Sequence, residues 1–168
     1  MKKFALPVIE SALLVSGCYA AATARFYPVR GPLTQQAPPP VLVGTLTETF
    51  NSGSIKLVLE NGEVCKGHWS PVPRPSRTES GTTSKGTAED MSAVWDEIYG
   101  SGFYVARVLG SRLYAAATAV GNHGTKVYVE IYKPESEPHE IDASRIRGVA
   151  KDSNGNIYKI TFENRFAI

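Results

Sequence analysis

The sequence predicts a mainly β domain with one α-helix, folded as a small antiparallel barrel or strongly bent sheet with the helix packed on it or at its end. Three observations carry this reading. Asn61-Gly62 lies between two alternating stretches and reads as a hairpin turn. Asp152-Ser153-Asn154-Gly155 repeats the signal near the end of the chain. Met91, Val94, Trp95, Ile98 and Tyr99 give the one clear run of apolar residues at helical spacing.

Three segments follow from the order of composition along the chain. Residues 1–17 read as a lipoprotein signal peptide. Lys2 and Lys3 form a positive start, and Phe4–Val15 is mostly apolar but too short to span a bilayer, with Glu10 as its one charge. Val15-Ser16-Gly17-Cys18 has the lipobox pattern of a branched apolar residue, two small residues and Cys. A signal peptidase needs small side chains before the cut, which places cleavage between Gly17 and Cys18. The Cys18 thiol then takes a diacylglyceryl group. Residues 18–40 read as a lipid anchor and flexible tether, bland at Ala20–Ala24 and stiffened by Pro38-Pro39-Pro40. Arg25–Leu33 is more apolar than a tether needs and suits an extended segment against the domain.

The folded body is expected over 41–168. Val41–Phe50 reads as a strand, and Ile55, Leu57 and Leu59 share one face of the next. The register of the Asn61-Gly62 hairpin can be derived. A two-residue turn would pair Glu60 with Glu63 and Leu57 with Lys66, setting like charges together and a lysine on the apolar face. A type I turn with a glycine bulge instead pairs Leu57 with Cys65 and Ile55 with Gly67. The second register is the consistent one. It predicts Gly62 in the left-handed region and Cys65 pointing inward.

Residues 70–87, with Pro71, Pro73 and Pro75, read as an exposed mobile loop. Thr87 is placed as N-cap of the helix, with Glu89 and Asp90 in its first turn and Gly100 and Gly102 as its stop. Phe103–Leu109 reads as a strand. Arg112–Val120 has high helix propensity at Leu113–Ala119, but the turn at Gly121–Gly124 and the alternation of Val127, Val129 and Ile131 favour a strand. Its small side chains would let the helix approach closely. In the last hairpin the bulged register sets Ala150 opposite Tyr158, Gly148 opposite Ile160 and Ile146 opposite Phe162. Eight strands and one helix result.

Composition narrows the function. Removing residues 1–17 takes away Lys2, Lys3 and Glu10 and leaves a formal charge of +1. That balance gives no footprint for nucleic acid. One domain is expected for 168 residues. With Cys18 lipidated, Cys65 has no partner for an intrachain disulfide and reads as a small buried hydrophobe.

Candidate sites are few. His68, His123 and His139 are scattered, and Cys65 with His68 offers only a Cys-x-x-His half-site, so no metal or other cofactor is expected. Asp152, Asn154 and Asn156 match the first three ligand positions of a calcium loop, and Glu163 falls at the twelfth. Ile157 occupies the sixth, where glycine is required, so a hairpin turn is the better reading. No catalytic constellation is predicted. The expected role is non-enzymatic, in binding or structure, with attachment to membrane through lipid on Cys18 and an envelope protein as a further partner. The alternatives are a carrier of a small apolar ligand inside the barrel and a hydrolytic enzyme using Cys65 or a histidine.

The lipobox, Tyr27-Pro28-Val29-Arg30-Gly31-Pro32-Leu33, Asn61–Trp69 and Gly148–Tyr158 together resemble a family of uncharacterised bacterial envelope lipoproteins. The resemblance implies membrane attachment without an established activity. It also implies an outer-membrane location facing the periplasm, because Tyr19, rather than the Asp that favours inner-membrane retention, follows Cys18. Members of that family often carry a second Cys near the position of Ala150. This chain departs from them there, which removes the basis for a disulfide at Cys65.

Overall fold

The structure, a computed structural model, describes residues 20–49, 52–72, 88–109, 113–134 and 146–163. Eight antiparallel strands form a closed barrel: β1 (Ala20–Arg30), β2 (Leu42–Thr49), β3 (Ser52–Val58), β4 (Val64–Ser70), β5 (Leu113–Gly121), β6 (Lys126–Tyr132), β7 (Arg147–Asp152) and β8 (Ile157–Glu163). Each strand pairs with the next in sequence, and β8 closes on β1. The helix α1 (Ala88–Tyr99) packs outside, against β7.

Alternation along the strands builds the interior. Ala24, Phe26, Leu42, Ile55, Leu57, Cys65, Trp69, Val127, Val129, Tyr158 and Ile160 point inward and belong to one cluster. An eight-stranded barrel is just wide enough for side chains to fill. Large residues therefore need small ones across the lumen or beside them. β5 supplies Ala115, Ala117 and Ala119 to this face. Gly148 lies opposite Ile160, and Gly44 sits against the Phe26 ring.

The predicted registers are found. Leu57 pairs with Cys65, Ile55 with Gly67, Ala150 with Tyr158 and Gly148 with Ile160. Gly62 has φ +82°, as the glycine bulge requires, and Cys65 is fully buried.

A second apolar layer lies outside the barrel. Met91, Val94 and Trp95 of α1 cover Tyr132, Val149 and Ile157, which are outward-facing residues of β6, β7 and β8. Trp95, Tyr99 and Phe103 stack successively, with ring centroids 5.5 Å apart for Trp95–Tyr99 and 4.9 Å for Tyr99–Phe103.

Three expectations are corrected. Ala20–Arg30 is not tether but the first barrel strand, bonded to β2 on one side and β8 on the other. Its inward residues Ala22, Ala24 and Phe26 alternate with Thr23, Arg25 and Tyr27, and alanine carries too little β signal to reveal the pattern. Phe103–Leu109 is not a strand. After Gly100 and Gly102, both at positive φ, the Asp96 carboxylate accepts the N–H groups of Gly102 (3.0 Å) and Tyr104 (2.8 Å). That carboxylate restarts a helical course over Tyr104–Leu109, here a π-helical turn. Finally, Ala115, Ala117 and Ala119 of β5 serve the barrel interior, and only Ala116 faces outward, beside Met91 of α1. The count of eight strands stands, with β1 in place of Phe103–Leu109. The expected N-cap Thr87, most of the 70–87 loop and Phe50, the last residue of the expected first strand, lie outside the described residues.

Candidate functional site

One end of the barrel gathers the β3–β4, β5–β6 and β7–β8 turns and the β1–β2 connection. The three turns share one geometry. The residue after the left-handed glycine returns its carbonyl to the first position: Glu63 O accepts from Leu59, Thr125 O from Gly121, and Asn156 O from Asp152. Gly62, Gly124 and Gly155 occupy equivalent positive-φ positions.

Side chains then join these connections into a circuit. Glu63 is buried, and its carboxylate accepts the N–H of His123 (2.9 Å), the N–H of Thr125 (3.1 Å) and the hydroxyl of Thr125 (2.7 Å). Gly121 makes this possible, because a Cβ there would overlap the carboxylate. Lys126 N–H donates to Ser153 Oγ, linking the β5–β6 turn to the β7–β8 turn. Asn156 Oδ1 accepts the N–H of Leu33 in the β1–β2 connection (3.0 Å). Gln36 of that connection donates to Glu60 in the β3–β4 turn (2.7 Å), which completes the ring.

Asp152 anchors the last turn from inside. One carboxylate oxygen accepts the N–H groups of Asn154 and Asn156, each at 2.9 Å. The other accepts the Asn156 amide (2.9 Å) and the Tyr158 hydroxyl (2.6 Å). The calcium-like triplet is thus a hairpin whose carboxylate is occupied by its own chain. The hydroxyl bond of Thr125, ahead of the two N–H bonds, holds Glu63 below the usual carboxylate range against the opposing effect of burial. Burial, then the neighbouring Asp152 carboxylate, pushes the Tyr158 phenol up.

The sequence-predicted residues do not converge. Cys65 faces the lumen while His68, three residues on, faces outward from the same strand and is exposed. Burial raises the Cys65 thiol, and the Glu63 and Asp152 charges raise it further, the reverse of what a nucleophilic thiolate needs. His123 contributes its backbone N–H to Glu63. His139, and Gly17 and Cys18 of the lipobox, lie outside the described residues. Among the described residues no three His, Cys, Asp or Glu side chains gather as a metal site.

An outer-wall groove of about 410 Å³ was not foreseen from the sequence. Its floor is the outward face of β4, β5 and β6, where His68, Thr118 and Tyr128 form one cross-strand row and Ser70, Ala116 and Glu130 the next. Met91 closes one side. Glu130 is half-buried, and its carboxylate accepts the Trp95 indole N–H at 2.7 Å. Burial pushes Glu130 above the usual carboxylate range, and the indole bond opposes that only in part. The groove therefore offers a carboxylate with reduced cost of protonation beside an imidazole, a phenol and a hydroxyl. The alternation of Val127, Val129 and Ile131 was the available signal: it turns Glu130 outward, into the layer that the helix covers. A second depression of about 480 Å³ lies over β2 and β3, lined by Val41, Val43, Lys56 and Val58.

The fold is a small closed β-barrel with a filled lumen and two grooves on its outer wall. No protein-family model, curated protein or solved structure matches the chain.

Proposed function

We propose that the chain is a membrane-anchored envelope lipoprotein with a non-enzymatic binding or structural role, located at the outer membrane and facing the periplasm. The observation that carries this reading is Val15-Ser16-Gly17-Cys18 placed directly ahead of a folded body that begins at Ala20. A leader of this length and pattern has no use inside a barrel and a clear use as a processing signal. The attachment proposed is through the lipid on Cys18. Among the described residues no helix is long and apolar enough to cross a membrane.

The binding role draws on the outer wall. The lumen is occupied by Phe26, Leu57, Trp69, Tyr158 and their neighbours, whereas the groove under Met91 is open and carries the polar side chains that fix a ligand. Mass spectrometry of the protein from membrane fractions tests the anchor. The expected N-terminal peptide begins at Cys18 and carries the diacylglyceryl mass. A retained Met1, or Cys18 without lipid, overturns the reading.

A further inference from the structure

We propose that the barrel sits with the end where β1 starts against the bilayer that holds Cys18, and that Val105 and Leu109 enter the interfacial layer of that bilayer. The inference rests on the lipoprotein reading and adds an orientation and a lipid-contacting surface to it.

The first argument is chain length. Ala20 pairs with Glu48, next to the last residue of β2, so β1 starts at the end of the barrel opposite the ring of turns. Cys18 precedes Ala20 by two residues, a reach of at most about 7 Å. An acylated residue lies at the boundary of headgroups and acyl chains, a layer about 5–10 Å deep for surface-bound elements. The start of β1 cannot then stand off the membrane, and the end of the barrel around it is brought to the surface.

The second argument is independent of the anchor. Val105 is 64% exposed and Leu109 52%, the two highest values among the large apolar side chains of the described residues. They lie four apart in the helical segment Tyr104–Leu109 and so share a side. The chain then reaches Leu113 within four residues, at most about 14 Å, and Leu113 pairs with Tyr132 at the end where β1 starts. Val108, between them, is buried beneath α1 and fixes the segment on the barrel. An exposed apolar pair on a fixed helical turn, with an acyl anchor proposed at the same end, matches a lipid surface. The ring of Glu63, Asn122, Ser153 and Gln36 at the other end is polar and turns away from it.

The test uses the full lipidated chain in vesicles of phosphatidylethanolamine and phosphatidylglycerol, with and without bromine on the acyl chains. An environment-sensitive dye is placed on Leu109→Cys, on Ser70→Cys at the same end and on Asn154→Cys in the ring. The native fold shields Cys65 from the label. Brominated chains are expected to remove most of the emission from the Leu109 position, part of it from the Ser70 position and none from Asn154. Loss at Asn154 equal to that at Leu109, or full emission at both Leu109 and Ser70 while mass spectrometry shows lipid on Cys18, overturns the orientation and leaves the anchor standing. Cys18 without lipid overturns both. Should Leu109→Cys lose the native circular dichroism spectrum, the Ser70 and Asn154 pair decides alone.

Discussion

Asp152 and Glu63 show what a single buried carboxylate does in a barrel this small. Both are almost fully buried, and each satisfies several donors that would otherwise be stranded where turns leave the ladder. Asp152→Ala removes the acceptor for two N–H groups, an amide and a phenol at once. It is expected to cost about 3 kcal/mol, read from the urea midpoint. Glu63 gives a pH signature. Its carboxyl is held low in the folded state, so its contribution is present above the unfolded value of about 4.3 and disappears as pH falls through the lower folded value. Glu63→Gln should therefore melt below the parent at pH 7, with the difference closing as the pH falls through the lowered folded value. The hairpin at Asp152 was readable in the sequence because its determinants are local: a turn-forming Asp, and a glycine at the bulge. Glu63 was not, because its partners are His123 and Thr125, about sixty residues away, and the glycine that admits it is Gly121. Glu130 was hidden for the same reason, since its partner Trp95 belongs to another element.

Elements were legible where hydrophobic period and side-chain size agreed. α1 announces itself through large residues at helical spacing, and its stripe lands on the outward residues Tyr132, Val149 and Ile157. Trp95→Ala would empty the centre of that layer, strip Glu130 of its donor and break the stack with Phe103. A loss of about 3–5 kcal/mol is expected from thermal or urea unfolding. β1 escaped the same logic because a lumen packed by Phe26 and Trp69 has room only for small residues around them. Ala22 and Ala24 are correct for a crowded barrel and look featureless in one dimension. Tyr104–Leu109 misled in the opposite way. Its β-branched and aromatic residues suit a strand, yet the Asp96 carboxylate and the Phe103 stack dictate a helical course.

At the scale of the molecule, closure decides which chemistry is available. The thiol of Cys65 lies in the lumen, its pKa raised by burial and by two nearby carboxylates. Native protein is expected to leave Cys65 unlabelled by a thiol reagent at pH 8 and to label it fully in denaturant; rapid labelling of the folded protein would restore a cysteine mechanism to consideration. With the lumen filled, the grooves lie on the outer wall, Glu130 and His68 in one and the valines of β2 and β3 in another.

The seam between β1 and β8 carries a kinetic consequence. Seven of the eight ladders join neighbours in sequence, but this one brings Thr23 to Glu163. A growing chain can zip hairpin after hairpin, yet its first strand waits exposed for its last. Contacts this remote in sequence put folding on the order of milliseconds to seconds rather than microseconds. Until β8 is made, β1 and β7 each present an open edge to any passing strand, so a chain released short of its final residues is an aggregation seed rather than a smaller barrel.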